Sequence, residues 1–315
     1  ETDKTVAIIV LRNDSILFEK YYDDYTPETM HTSFSMAKSY ISALIGIAID
    51  EGSIKSVNDK VSEYLPRVND DVFSKISIKD LLDMQSGLKF NESYFNPFGD
   101  VAKYYYGTNL TKYISKLKLE KEPGTEFRYK SVDPQLLAAV LESATGMKIS
   151  AYFEKKIWSQ IGTEADASWS IDSEKNQTEK AFCCMNAIAR DYTRFGRLYL
   201  NNGNWNGNQI ISIDWVKEST IFTENKNNLR YSYQWWHTWN IQLPNDTIPK
   251  PELYIEMPFA NHPEIKAIVY PGNDYFAQGI LGQYTYINPD KNMVIVRLGH
   301  KDKLNWVEFF QKVAN

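Results

Sequence analysis

The chain has 315 residues, 43% of them hydrophobic and 24% charged, with a formal net charge of −5. This is globular composition, long enough for one large core or two coupled subdomains, and the sign of the charge argues against a nucleic-acid partner. No run reaches the ~18 uninterrupted apolar residues of a membrane span; the longest, Ile41–Ile49, is already broken by Ser42.

In chain order, TVAIIVLRNDSILFEKYY (Thr5–Tyr22) reads as two β-branched strands around a turn at Arg12-Asn13-Asp14-Ser15. The run from Met36 to about Asp50 reads as a helix stopped by Gly52. Helical patterns then dominate to about Tyr199. SIKDLLDMQSG offers Ser77 as N-cap and Gly87 as stop. SVDPQLLAAVLESATG offers Ser131 or Asp133 as cap, Pro134 in the first turn and Gly146 as stop. NAIARDYTRFGRLYLNNG is amphipathic and ends at Gly203. The tail changes character. IKAIVYPG, DYFAQGI, GQYTYINPD and KNMVIVRLG read as four strands joined by turn residues, and KDKLNWVEFFQKVAN as a closing helix.

Strands at both ends with helices between them predict an α+β fold. One antiparallel sheet is built from both chain ends and flanked by helices, with a mainly helical region inserted. The expected division is 1–30 with 225–315 as the sheet domain and 31–224 as the helical one, with the active site between them. The first hairpin is expected beside the last strands.

Chemistry enters at HTSFSMAKSYISALIGIAID, beginning at His31. Three Ser-x-x-Lys spacings occur: Ser35–Lys38, Ser86–Lys89 and Ser115–Lys118. Ser86 sits at a helix stop, where Lys89 can point to water. Ser115 lies in a heavily charged segment that a solvated helix face explains. Only Ser35 heads a helix apolar on almost every face, which therefore belongs inside the protein. Lys38 is one turn on and on the same face. Burial makes a lysine more willing to lose its proton, and a neutral lysine can take one from a serine. The competing reading is an N-cap serine with a snorkelling lysine. A second element, Tyr129-Lys130-Ser131 before a helix, can bring a phenol oxygen and a short polar side chain to the same cleft, although with 21 tyrosines a packing role is the default.

These segments resemble the serine β-lactamase and penicillin-binding-protein superfamily, and within it the class C β-lactamase-like esterases and 6-aminohexanoate-dimer hydrolases. The resemblance rests on SFSMAKSYISALIGIAIDEG, VNDKVSEYLP, ISIKDLLDMQSGL, EPGTEFRYKSVDPQLLAAVLE, ARDYTRFGRLYLNNGNWNGNQIIS, YSYQWW and QGILGQYTYINPDKNMVIV, in that order from about Thr5 to the C-terminus. It implies an acyl-enzyme mechanism with Ser35 as nucleophile, Lys38 as its activating lysine and Tyr129 as the catalytic tyrosine. The backbone N–H groups of Ser35 and Ile280 would form the oxyanion hole. Ser131 falls where class C β-lactamases carry Asn, and Tyr94 where the dimer hydrolases carry a tyrosine near the leaving amide nitrogen. The family's basic third motif is replaced by Ala277-Gln278-Gly279, which cannot pair with a substrate carboxylate by charge. Gln278, Gly279 and Trp236 are expected to line the substrate site, with Trp235 in the core.

The expected function is therefore a serine hydrolase for small-molecule esters or amides. The alternatives are a weak β-lactamase or D,D-peptidase, and a non-catalytic recognition scaffold. No cofactor or metal is expected: His31, His237, His262 and His300 lack metal spacing, and Gly-x-Ser-x-Gly and phosphate-loop signatures are absent. His300 reads as a surface or turn residue. Adjacent Cys183 and Cys184 are expected as two reduced, packed thiols. A start at Glu1 rather than Met favours a trimmed, periplasmic or secreted chain over a cytoplasmic one.

Overall fold

The computed structural model describes residues 4–221, 230–244, 246, 249–251, 254–259 and 262–314. Among these, eight strands form the main sheet: β1 (Thr5–Arg12), β2 (Ser15–Tyr21), β3 (Tyr231–Ser232), β4 (Trp235–Gln242), β5 (Ile255–Phe259), β6 (His262–Gly279), β7 (Gln283–Asn288) and β8 (Met293–Gly299). Their order is β2-β1-β8-β7-β6-β4-β3, with β5 also paired to β6. The first hairpin thus lies beside the last strand, with Ile9 opposite Val296 and Leu11 opposite Val294 in an antiparallel register. Asn13 and Asp14 both take positive φ, the backbone a two-residue hairpin loop requires.

Every residue of β8 is buried because the sheet is covered on both faces. Val294, Val296 and Leu298 enter the large core, while Met293 and Ile295 pack with Trp306 and Phe310 of the closing helix, Trp306–Ala314. That double burial explains why MVIV reads as a continuous apolar run rather than an alternating one. The tail differs from expectation at one place. IKAIVYPG and DYFAQGI are one strand, β6, whose register with β4 shifts between Pro271 and Tyr275. The irregularity absorbs Pro271 and Gly272 without ending the strand.

The inserted segment carries α1 (Ala37–Asp50), α2 (Val132–Thr145) and α3 (Ala189–Leu200). Helix α1 is buried from Ala37 through Ala48, as its apolar faces require. It lies against α2, and its Tyr40 meets Phe195 of α3 edge-on, with ring centroids 4.2 Å apart. Gly146 caps α2 at φ +67, the left-handed position expected of its stop. Ser77 caps the short helix Ile78–Leu82 by accepting from Asp80 N at 3.1 Å. A small sheet of His31–Thr32, Met185–Ala187 and Ser168–Trp169 ties the entry of α1 to a distant segment: Ser33 N donates to Met185 O at 2.7 Å.

We retain 1–30 with 225–315, and 31–224, as a proposed division. Its boundary at 224/225 lies outside the described residues, and α3 of the second segment packs on β1, β7 and β8 of the first.

Candidate active site

The chain enters α1 through a single 3-10 turn, Phe34–Met36, so Ser35 stands just before the helix rather than in it. Phe34 holds φ +44, a region bulky L-residues avoid, and such strain concentrates where a side chain must be aimed. Ser35 and Lys38 are both buried. Lys38 Nζ donates to Ser35 Oγ at 2.9 Å and to the Phe182 carbonyl at 2.7 Å. Burial pushes the Lys38 amine down to about 8, and the charge of Glu92 pulls the other way.

Tyr129 reaches the same place from the loop before α2. The Lys38 amine is 5.1 Å from its ring centroid, and Ser35 interacts with its hydroxyl. Burial holds this phenol well above its ordinary range, and the contact with Ser35 offsets only part of that. Trp236 stacks on Tyr129 with centroids 5.6 Å apart and planes at 26°, and Tyr231 meets Tyr129 edge-on at 5.8 Å. Trp235, one residue earlier on β4, points to the opposite face and is fully buried. The three residues expected to carry the chemistry are therefore brought together by α1, the loop before α2 and β4.

Ser131 precedes α2 but does not cap it. Its backbone N–H donates to Glu92 Oε2 at 2.7 Å and its hydroxyl to Glu92 Oε1 at 2.6 Å. The half-exposed Tyr94 donates its hydroxyl to the same Oε1 at 2.8 Å. Its ring meets Tyr105 at 6.1 Å, and Tyr105 meets Phe182 at 5.1 Å. The sequence reading missed Glu92, two positions before Tyr94 in NESYF, because an acidic residue in a polar loop is ordinarily solvated. The Phe182 carbonyl carries no sequence signal at all.

At the end of β6, Gly279 lies against the turn that holds Ser35. A Cβ there would collide with the Ser33 carbonyl oxygen and stand 3.1 Å from Ser35 N. Only glycine permits this approach of the strand end to the turn that carries Ser35. Ala277 is buried in the large core. Gln278 is not turned to Ser35, Lys38 or Tyr129: its Nε2 donates to Tyr284 Oη at 2.8 Å, and Tyr284 donates to Asp302 at 3.0 Å. Alternation along the strand separates it from Gly279. Beside Ile280, Phe34, Tyr94, Tyr105, Tyr106 and Leu281 help line a cavity of about 410 Å³.

The other candidates fall elsewhere. Ser86 is buried and donates to Asp133 at 2.6 Å, while Lys89 is exposed; Ser115 is exposed and donates to the Lys112 carbonyl. His237 is buried against Ser232 Oγ at 2.8 Å, and burial lowers it to about 4. His300 is exposed and sits beside Tyr25 and His31. The side chain of His262 lies outside the described residues. No cluster of three metal-ligating side chains occurs among the described residues. The expectation of two reduced cysteines is corrected: Cys183 and Cys184 are joined as a vicinal disulfide. Cys184 takes φ +68, and this left-handed residue brings together neighbouring side chains that an extended backbone would splay to opposite faces.

A profile of the Beta-lactamase family matches residues 3–312. The 6-aminohexanoate-dimer hydrolase of Paenarthrobacter ureafaciens is 30% identical over 260 residues, 75% of this chain and 65% of that protein, so the chain spans slightly under two thirds of the relative's length. Two solved structures share the fold. A Bacillus anthracis protein provisionally assigned as a 6-aminohexanoate-dimer hydrolase has a TM-score of 0.79 at 24% identity, covering 99% of this chain and 79% of that one. The penicillin-binding protein of Bacillus halodurans has a TM-score of 0.72 at 13% identity, covering 98% and 96%. With Ser35, Lys38 and Tyr129 converging at the junction of α1 and the sheet, and with the family profile running almost end to end, the chain belongs to the Beta-lactamase family.

Proposed function

We propose that this protein hydrolyses carboxylic ester or amide bonds through an acyl-enzyme on Ser35. The observation that carries the reading is the buried Lys38 amine, 2.9 Å from Ser35 Oγ and lowered to about 8. In its neutral form it takes the Ser35 proton as Oγ bonds to the substrate carbonyl carbon. The carbonyl electron pair moves onto oxygen, where the N–H groups of Ser35 and Ile280 receive it; each such donor is worth on the order of 3 kcal/mol. When the tetrahedral species collapses, the bond to the alkoxide or amine breaks. The leaving group takes up the proton through Tyr129. Water then attacks the acyl carbonyl along the same path and frees Ser35. Tyr129 stays neutral because burial raises its phenol, so its part is relay rather than standing base.

The substrate reading follows the walls. Ser131, Tyr94, Trp236 and Gly279 face the acyl or leaving group, and the aromatic cavity beside Ile280 suits a short apolar chain. With Ala277 buried and Gln278 engaged by Tyr284, that position supplies no cation for the carboxylate of a β-lactam or peptide stem. The dimer-hydrolase relative supports a small linear amide among the candidates. No helix among the described residues is long and apolar enough to cross a membrane. The Cys183–Cys184 disulfide supports a periplasmic or secreted location, where disulfides persist.

A fluorophosphonate probe, followed by a panel of p-nitrophenyl esters of increasing chain length, tests the reading. Labelling of Ser35 with turnover of neutral esters is the expected result. Folded protein that neither labels nor turns over any ester would make it a recognition scaffold.

A further inference from the structure

We propose that the Cys183–Cys184 disulfide is a positioning element for the base: it holds the turn whose Phe182 carbonyl grips Lys38, so that full activity requires the oxidised pair. The inference rests on Lys38 serving Ser35 as above, and it assigns part of that task to a turn 144 residues away.

The Phe182 carbonyl and the Cys183 N–H belong to one planar peptide unit. The carbonyl accepts from Lys38 Nζ at 2.7 Å, and the N–H donates to the Lys180 carbonyl at 3.0 Å. The next carbonyl, that of Cys183, accepts from Trp169 Nε1 at 2.9 Å, and the one after it, that of Cys184, accepts from Ser170 N at 3.0 Å. The bond between the two sulfurs closes a ring over the peptide unit that joins the two cysteines, the immediate neighbour of the unit Lys38 holds. Cys184 stands at φ +68, a region that L-residues other than Asn and Asp seldom occupy. The bridge denies Cys184 the extended alternative, in which successive side chains point to opposite faces. Once the bridge opens, Cys184 is free to rotate out of the left-handed region. That rotation passes through Cys183 to the peptide unit whose carbonyl holds Lys38.

The carbonyl matters because a neutral amine must be aimed. It has two N–H groups and one lone pair, and only the lone pair can take the Ser35 proton. A carbonyl only accepts, so an N–H turned to Phe182 leaves the lone pair for Ser35 Oγ, 2.9 Å from the amine. The carbonyl also favours the ammonium form, as does the charge of Glu92, which a change at the cysteines leaves in place. Cys183 is fully buried and Cys184 half-buried, so a reductant reaches the pair from the Cys184 side. A dithiol reductant breaks the S–S bond and supplies two electrons and two protons. Two thiols form, and the dithiol leaves as its own disulfide.

The experiment measures kcat, KM and the pH profile with p-nitrophenyl butyrate for four forms of the protein. These are the oxidised wild type, the wild type reduced with dithiothreitol and freed of it under argon, Cys183→Ala with Cys184→Ala, and Cys183→Ala with Cys184→Gly. Alkylation and mass measurement count the thiols. Reduction and the alanine pair should each lower kcat by about tenfold to hundredfold, the scale of a misplaced catalytic group, with little change in KM. The midpoint of the profile should move to lower pH as the amine loses its carbonyl. Reoxidation should restore both, and the glycine pair should recover much of kcat, because glycine accepts positive φ without a bridge. Unchanged kcat and midpoint with two free thiols overturn the inference. So does a loss that tracks only the unfolded fraction and leaves the midpoint in place, or one that the glycine pair does not relieve. Should the wild type resist reduction, the two variant pairs decide by the same criteria. All of these outcomes leave the hydrolase reading standing; it fails instead if the oxidised wild type neither turns over esters nor labels at Ser35.

Discussion

Ser131 gives both of its donors, the backbone N–H and the hydroxyl, to the two oxygens of Glu92 at 2.7 and 2.6 Å. The pairing anchors the loop of Tyr94 to the N-terminus of α2. It also engages the hydroxyl proton of the buried Ser131. A loop that reads as polar surface is thereby tied into the interior.

Ser35→Ala should abolish both ester turnover and fluorophosphonate labelling. Ser115→Ala should leave turnover near wild type, because that hydroxyl is exposed and satisfied by the Lys112 carbonyl. Ser86→Ala is a stability variant: it removes the donor to the buried Asp133, at a cost of about 1–3 kcal/mol. Steady-state kinetics and thermal unfolding of the three variants separate these outcomes; substantial activity in Ser35→Ala sinks the assignment.

Lys38 and Tyr129 share one reacting serine, so their losses should not add. Lys38→Ala with Tyr129→Phe should cost little more in kcat than the worse single change, as groups acting as a unit do. Multiplying losses would mean that the two serve separate steps, and would remove Tyr129 from the proton path.

The pH profile follows from the amine. Lys38 must be neutral to accept the Ser35 proton, and burial lowers it to about 8. For a neutral ester, kcat/KM should therefore be low below pH 7, rise with a midpoint near 8, and level off above it. Glu92 opposes the effect of burial by stabilising the ammonium form. Glu92→Gln should accordingly move the midpoint to lower pH. A midpoint that stays fixed, or moves upward, contradicts this electrostatic link.

p-Nitrophenyl butyrate should be hydrolysed faster than nitrocefin. The missing charge-assisted bond to the β-lactam carboxylate corresponds to about 1.5–3 kcal/mol, or roughly one to two decades. Slow residual nitrocefin turnover is compatible with a retained nucleophile. Nitrocefin hydrolysed faster than the ester would make a β-lactamase of this protein.

The local features were legible in the chain because they depend on neighbours in sequence. An all-apolar helix headed by Ser35 and Lys38, one turn apart, must be buried and must carry its amine with it. Asn13 and Asp14 suit a hairpin turn whatever lies around them. Strand-like runs at both ends leave an inserted helical region little alternative to standing between them. Contacts between distant segments have no such periodicity. The Phe182 carbonyl that holds Lys38 is 144 residues away, and Glu92 meets Ser131 across 39. The turn that joins Cys183 to Cys184 depends on a backbone angle that composition does not announce. Gln278 was expected at the substrate, yet Tyr284, opposite it on β7, claims its side chain. Motif and periodicity pointed to the sheet and to a buried serine and lysine one turn apart. Which carbonyl grips the lysine, which carboxylate holds Ser131 and which way Gln278 turns were decided only by packing, because each depends on residues that folding alone brings within hydrogen-bonding distance.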